Sequence, residues 1–206
     1  MHRAEQHGPV SRLVAALSIA LVATACSSST GDTSSGAERD GPVMPSLSAQ
    51  LPTEHLGGMH TTDSILGDAI AASLDAVHPD EVRELLASEG FVGAWERIYA
   101  GRVGVFSRVV LRAWEFGDAR GASSYLAWLD HNAREWIGAA HPIDGGSLPS
   151  SVHVAMHDVT GCCHEETPIY LASWQKGVVV WTVRASGPRI QTEPTLKLVA
   201  EIEGKV

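Results

Sequence analysis

The chain of 206 residues lacks an apolar segment long enough to cross a bilayer as a lone helix. Its main uncharged apolar run, LVAALSIALVATA at 13–25, is short of the roughly 18 to 20 residues that a spanning helix needs. The chain also lacks a basic surplus, with 15 Lys and Arg against 24 Asp and Glu and a net charge of −9. Since nucleic acids are bound by basic patches or stripes, we expect no nucleic-acid partner.

Motifs of familiar chemistry are missing as well. The sequence has no GxSxG, no HExxH and no phosphate-binding loop, and it shows no internal repeat. The adjacent Cys163 and His164 are not by themselves a nucleophile arrangement, because catalysis needs approach in space. We therefore expect a binding protein rather than an enzyme, and a secreted hydrolase stays a third hypothesis without a motif.

The N-terminus has the pattern of a secretory signal peptide. Arg3 and Arg12 precede the apolar run, and small residues at 23–25 lead directly to Cys26. This ending resembles a bacterial lipobox, after which the cysteine is diacylated on its thiol and becomes the new N-terminus. We expect a signal peptide at 1–25 and lipidation of Cys26, with ordinary secretion as the alternative. Two acyl chains anchor a protein stably, so the expected location is the extracytoplasmic face of the cell membrane.

The composition changes after the signal peptide. Residues 26–61 are rich in Ser, Thr, Gly and Pro and have no apolar periodicity, which is typical of a flexible linker. A linker of this kind has a root-mean-square reach of roughly 30 Å. All six Trp, all three Tyr and all three Phe lie beyond it, so 62–206 is expected to form a single domain with its own core.

Apolar periodicity predicts the elements of this domain. Two helices come first, the first with Thr62 or Asp63 as its cap. A β-hairpin of about 94–99 and 104–116 and a helix that Asp118 caps follow. Three further strands, in SVHVAMHDV, PIYLASW and VVVWTVRA, lead to a final helix with Thr192 as its cap. The order ααββαβββα indicates an α+β fold, an antiparallel sheet of about five strands with helices packed on it.

This order, with the phrases GFVGAWERIYAG, EFGDARGASSYLAWL and YLASWQKGVVVWTVRASG, resembles the small secreted lipoprotein domains of actinobacteria. That group includes LpqN-type lipoproteins and the extracellular sensor domain of a serine/threonine kinase, with a PsbP/Mog1-like fold. The resemblance covers about 80–205 and implies a fold, an extracytoplasmic compartment and a binding or sensing role. It implies no functional residue at a numbered position, because it includes no catalytic motif.

The stretch VHVAMHDVTGCCHEE concentrates metal-ligand residue types. On a strand, His153 and His157 lie four steps apart, roughly 13 Å, too far to share one ion. A hairpin that pairs position 157 with 166 would instead bring His157, His164 and Glu166 to one face, an acceptable ligand set for zinc or copper. The alternatives are a solvated polar sheet face and a pH-responsive histidine cluster. No other cofactor is indicated.

Cys162 and Cys163 are the only cysteines besides Cys26. Adjacent Cα atoms are about 3.8 Å apart across a trans peptide, below the roughly 4.4 to 6.8 Å usual for a disulfide. A bridge between these neighbours would be strained and easily reduced, which is the basis of a redox-switch hypothesis. A vicinal disulfide, two free thiols and a link to another molecule all stay open at this point.

Arginines supply the last signal. Arg108 and Arg112 alternate with apolar residues on one strand face, and with Arg97 and Arg184 they form a candidate cationic patch for an anionic lipid head or a glycan. The alternative is that their stems cover the sheet and their guanidinium groups pair with glutamates.

Two hypotheses of function follow from these features. The first is a non-catalytic, lipid-anchored envelope module that binds or senses a protein, or a small apolar or anionic ligand. The second is a metal-binding envelope protein that uses His157, His164 and Glu166.

Overall fold

A computed structural model describes residues 56–157 and 167–206. Seven strands form one antiparallel sheet in the order β1-β2-β3-β7-β6-β5-β4. The strands are β1 (His60–Leu66), β2 (Phe91–Val103), β3 (Phe106–Phe116), β4 (Ala140–Pro142), β5 (His153–His157), β6 (Ile169–Lys176) and β7 (Val179–Ser186). The helices are α1 (Ala69–Ser73), α2 (Pro79–Ser88), α3 (Ala119–His131), α4 (Arg134–Ile137) and α5 (Thr192–Lys205).

The α+β class and the antiparallel sheet are confirmed, but the expectation of about five strands is wrong. Both additional strands, β1 and β4, lie at the edges of the sheet. The first helix was expected from position 62, whereas Thr61, Thr62 and Ile65 belong to β1, because β-branched residues suit a strand that pairs with β2. Helix α1 begins only after Asp68, whose carboxylate accepts a hydrogen bond from the Ala71 amide at 2.7 Å.

The central elements follow the predicted pattern. Strands β2 and β3 form the expected hairpin, and the Asp118 carboxylate accepts a hydrogen bond from the Gly121 amide at 2.8 Å, which caps α3. Gly177 turns the chain between β6 and β7 with a φ of 63°. The cap of α5 differs from the prediction, since Gln191 precedes the helix and the Thr192 hydroxyl instead lies 2.9 Å from that of Tyr170.

Helices cover both faces of the sheet, and each face has its own apolar cluster. Helices α1 to α4 lie on the face that carries the even-numbered residues of β2, β3 and β7, where Trp114 and Phe116 pack against Tyr125 of α3. Helix α5 lies on the opposite face and packs Leu198, Val199 and Ile202 against the other side of the strands. The sheet is therefore the middle layer of three.

Packing extends to the first described residues. Leu56 and Met59 are buried in the cluster on the α5 side, although both fall in the segment that was expected to be linker. The predicted signal peptide, Cys26 and most of the predicted linker lie outside the described residues. Within 56–157 and 167–206, no helix is long and apolar enough to span a membrane.

Candidate functional site

The strand register brings three of the four predicted arginines to one face. In the pairing of β3 with β7, Arg108 lies opposite Ser186, Val110 opposite Arg184, and Arg112 opposite Thr182. Directly paired residues of antiparallel strands point to the same side of a sheet. Arg108, Arg112 and Arg184 therefore share the face that α1 to α4 partly cover.

A cleft of about 330 Å³ opens over this group. Its lining consists of Asp75, Arg108, Val110, Ile169, Arg184 and Ser186. A smaller cavity of about 20 Å³ shares Val110 and Arg184 with the cleft and is otherwise lined by Arg112, Trp114, Trp136, Leu171 and Thr182. The smaller cavity has room for about one water molecule, so of these two adjoining cavities the outer cleft is the one that can take a ligand.

Arg112 forms the charged floor of the site. It is buried, and its guanidinium group makes ion pairs with the carboxylates of Glu96 and Asp75. The guanidinium carbon also lies 5.4 Å from the ring centroid of Trp114 and 5.5 Å from that of Trp136. A buried cation needs such partners, since desolvation without them costs several kcal/mol per ion. Arg112 is thus held rigidly in place.

Arg184 is less well compensated. Its Nη1 donates a hydrogen bond to the Trp136 carbonyl at 3.2 Å, and its Nη2 lies 3.8 Å from the Asp75 carboxylate. Burial lowers the pKa of Arg184, and the neighbouring charges of Arg112 and Arg108 lower it further, while Asp75 acts in the opposite direction. The Arg184 guanidinium is therefore in surroundings that still favour a further negative charge.

Arg108 is the third arginine of the site. Its side chain is exposed at the mouth of the cleft and forms no ion pair or hydrogen bond with the described residues. The three arginines thus face two carboxylates, those of Asp75 and Glu96. The site retains one positive charge without a partner among the described residues, which suits an anionic ligand.

Asp75 is positioned by a clamp between two segments. It lies in the turn between α1 and α2, where the Val77 amide donates to the Glu135 carbonyl at 2.9 Å. The Glu135 carboxylate is buried and accepts the His78 amide at 3.0 Å, with His78 Nδ1 also at 3.0 Å. These bonds tie the turn to α4 and hold the Asp75 carboxylate over the arginines.

Sequence reasoning missed the acidic members of this site. Asp75, Glu96 and Glu135 belong to a turn, a strand and a short helix, and the chain separates them widely. Only the pairing of β2 with β3, in which Glu96 lies directly opposite Arg112, brings the first ion pair together. No local sequence pattern links these three acidic residues, because their approach depends on strand register and on tertiary contacts.

Arg97 does not belong to the group with which it was predicted. It points to the opposite face of the sheet, where its Nε donates to the Asp63 carboxylate at 2.6 Å and its guanidinium carbon lies 5.1 Å from the Trp95 ring centroid. The hydrogen bond from Arg97 lowers the pKa of Asp63. This arginine is already paired.

The predicted metal ligands are only partly described. His157 pairs with Ile169 across β5 and β6, so the expected pairing of position 157 with Glu166 is wrong. The Nδ1 atom of His157 makes a hydrogen bond with the Ile137 carbonyl. His164, Glu166, Cys162 and Cys163 lie outside the described residues, and within 56–157 and 167–206 no group of three metal-ligand side chains comes together. The metal and redox hypotheses stay predictions.

A second polar group lies beside α3. His153 Nδ1 is 2.9 Å from the Asp130 carboxylate, and Ser173 is the cross-strand partner of His153. Ser173 is buried, and the adjoining cavity of about 20 Å³ holds about one water molecule. Lys176 follows Ser173 at SxxK spacing, but residues three apart on a strand point to opposite faces. A hydrolytic site is not supported by this geometry.

The chain was compared with protein families, characterised proteins and solved structures. No family model matches it, and no curated protein is similar to it in sequence. Among solved structures it is similar to the crystal structure of the extracellular domain of PknH from Mycobacterium tuberculosis, with 13% sequence identity and a TM-score of 0.46. The match covers 76% of this chain and 93% of that one. At this identity and TM-score, the likeness assigns neither a family nor a function.

Proposed function

We propose that the protein is a non-catalytic binding module of the cell envelope, anchored through lipidated Cys26, whose cleft takes a small anion. The observation that supports the binding role is the charge imbalance of the cleft. Arg108, Arg112 and Arg184 meet only two carboxylates among the described residues, and Arg184 and Arg108 line the open volume directly. Sensing would follow from occupancy of this cleft.

The lining residues and the volume of the cleft indicate which ligands it can bind. Guanidinium groups are planar donors that match carboxylate and phosphate oxygens. The Ser186 side chain adds a hydroxyl, while Val110 and Ile169 add apolar walls. A volume of about 330 Å³ is at the small end of ligand pockets, which span roughly 300 to 1,000 Å³. The preferred ligand is therefore a small carboxylate or phosphate compound rather than a polymer.

Anchoring is a separate part of the proposal and has its own support. It rests on the apolar run that follows Arg12 and on the small residues directly before Cys26. Globomycin, which blocks lipoprotein signal peptidase, should cause uncleaved precursor to accumulate. A Cys26→Ala chain should incorporate no labelled fatty acid, and labelling equal to that of the unchanged chain would refute lipidation at this residue.

Anion binding can be tested with one variant that removes a positive charge from the cleft and one that removes a negative charge. Inorganic phosphate and benzoate are titrated into the chain from Ser27 onward, and the melting temperature and heat of binding are measured, because a ligand of the folded state stabilises it. Arg184→Gln should weaken binding at least tenfold, as the loss of a charge-assisted hydrogen bond removes roughly 1.5 to 3 kcal/mol. Asp75→Asn should strengthen binding, since it removes a competing carboxylate.

Arg97→Gln is the matched control for this test. It removes the same charge from the opposite face of the sheet, so it should leave anion affinity within about twofold of the unchanged chain. Binding that Arg97→Gln and Arg184→Gln weaken equally would show a general charge effect and not a site. Absence of binding by both probes in the Asp75→Asn chain would refute an anion cleft.

A further inference from the structure

Four arginines form no ion pair or hydrogen bond with the described residues. They are Arg102, Arg108, Arg120 and Arg189. The other described basic side chains are paired with acids, as in the contacts of Arg83 with Asp80 and of Lys176 with Glu203. All four side chains are exposed, so their guanidinium groups are accessible to an external anion.

Three of the four lie at the same end of the sheet. Arg102 is near the C-terminal end of β2, Arg108 is near the start of β3 and Arg189 is in the segment after β7. Arg108 pairs with Ala100 on one side and with Ser186 on the other, so the three strand ends are adjacent. Arg120 is at the opposite end, because α3 follows the far end of β3.

A pocket joins Arg102 and Arg189. Its volume is about 110 Å³, and its lining is Arg102, Gly104, Val105, Phe106, Pro188 and Arg189. The two segments that form it are in tight contact, since a Cβ atom at Gly187 would lie 2.1 Å from the Val105 carbonyl oxygen. The pocket is thus formed by two backbone segments in close contact, and each segment carries one arginine.

The preceding chain enters the fold at this same end. Leu56 and Met59 are the first buried residues, and Met59 is beside the β2–β3 turn, where a Cβ atom at Gly101 would lie 3.5 Å from the Met59 Cα. The first described residues, 56–59, therefore lie at the end of the sheet that carries Arg102. Asp68, Glu89 and Asp118 adjoin the opposite ends of β1, β2 and β3, whereas Glu193 lies in the first turn of α5, at the end that carries Arg189.

We propose that the end of the domain carrying Arg102 and Arg189 is a docking surface for anionic phospholipid headgroups. The surface faces the membrane from which the chain is tethered, and the phosphate of a headgroup occupies the pocket between the two arginines. The end of the sheet beside Asp68, Glu89 and Asp118 points away from the membrane. This inference rests on the proposed membrane anchor, because the tether is what brings the surface and the lipids together.

The test uses the chain from Ser27 onward with a polyhistidine tag in place of the acyl anchor. All residues of both apolar clusters lie in this chain, so its core is complete. The tag binds vesicles with a nickel-chelating lipid in phosphatidylcholine, alone or with an equal part of phosphatidylglycerol. Hydrogen exchange should slow in 101–105 and 187–190 on the phosphatidylglycerol vesicles only, and it should return to its free rate at high salt.

Substitutions locate the contact. Each of Arg102→Gln and Arg189→Gln should reduce the ratio of docked to undocked protein about fivefold, and the double variant about 25-fold, from the usual contribution of one basic residue near an anionic surface. The matched control is the double variant Arg83→Gln with Arg120→Gln, which removes two charges elsewhere and should leave protection unchanged.

Three results would overturn the docking surface. They are equal protection on both vesicle types, no protection on either, and an equal loss of protection in the two double variants. Because the tag replaces the acyl group, none of these results depends on lipidation of Cys26, and the globomycin experiment tests that anchor independently.

Discussion

The two faces of the sheet differ in what they bury. The face under α5 packs apolar and aromatic side chains, among them Trp95, Trp174 and Trp181. The face under α1 to α4 also has an apolar cluster, but the buried polar and charged residues of the described strands all lie on it. They are Glu96, Arg112, Ser173 and Thr182. Both faces therefore stabilise the fold through apolar packing, and the face under α1 to α4 also bears the desolvation cost of its buried charges.

Charge at the two faces can be compared at neighbouring positions of β2. Glu96 pairs across the strands with Arg112, and Arg97 pairs across the strands with Asp63. The first ion pair is buried, whereas Asp63 has 43% of its side chain exposed. Solvent screens the pair of Arg97 with Asp63. Breaking this pair should therefore reduce the free energy of unfolding far less than breaking the pair of Arg112 with Glu96.

The largest effect is expected on the α5 face. Leu198→Ala removes a fully buried side chain of α5 from the cluster that contains Trp174 and leaves a cavity. We expect a loss of about 4 kcal/mol in the free energy of unfolding, measured by urea denaturation. Phosphate affinity should not change. A loss in anion binding with retained structure would show that the two faces are coupled.

The second largest loss of stability is expected when the buried ion pair of Glu96 with Arg112 is broken. Glu96→Gln leaves Arg112 with Asp75 as its remaining acidic partner among the described residues, and we expect a loss of about 3 kcal/mol in the free energy of unfolding. Replacing both members, as Glu96→Gln with Arg112→Met, should recover most of this loss because no buried charge is left unpaired. If the double variant is as unstable as the single one, the pair itself stabilises the fold.

A neutral hydrogen bond on the same face should have a smaller effect. The Trp114 Nε1 donates to the Thr182 hydroxyl at 3.0 Å, and both side chains are buried. Thr182→Val keeps the shape but leaves the indole donor without its acceptor, which should cost about 1.5 kcal/mol in the free energy of unfolding. Equal stability of the variant and the unchanged chain, compared by urea denaturation, would show that water replaces the hydroxyl.

Features that depend on local periodicity can be predicted from this sequence, whereas features that depend on tertiary pairing cannot. Long amphipathic segments are recognisable from periodicity alone, so α3 and the β2–β3 hairpin agree with expectation. Strand β1 is not recognisable in this way, because its pattern of exposed residues follows from pairing with β2 at a sheet edge. The shared face of Arg108 and Arg184 depends on the register of β3 with β7, and the role of Asp75 on a turn clamped by Glu135. Such tertiary pairings leave no local sequence pattern.

The smallest effect is expected for the exposed ion pair, and its pH dependence gives the sharpest comparison with the buried one. The hydrogen bond from Arg97 lowers the pKa of Asp63 in the folded state. Stability from this pair is therefore fully present above the unfolded carboxyl pKa, near 4, and is lost as the pH falls through the lower folded value. Asp63→Asn should reduce the free energy of unfolding by less than about 1 kcal/mol at pH 7, because the carboxylate is largely solvated. Urea denaturation of both proteins should show this difference shrinking below about pH 4. A difference that stays constant with pH would mean that Asp63 acts through packing of β1 against β2 and not through its charge.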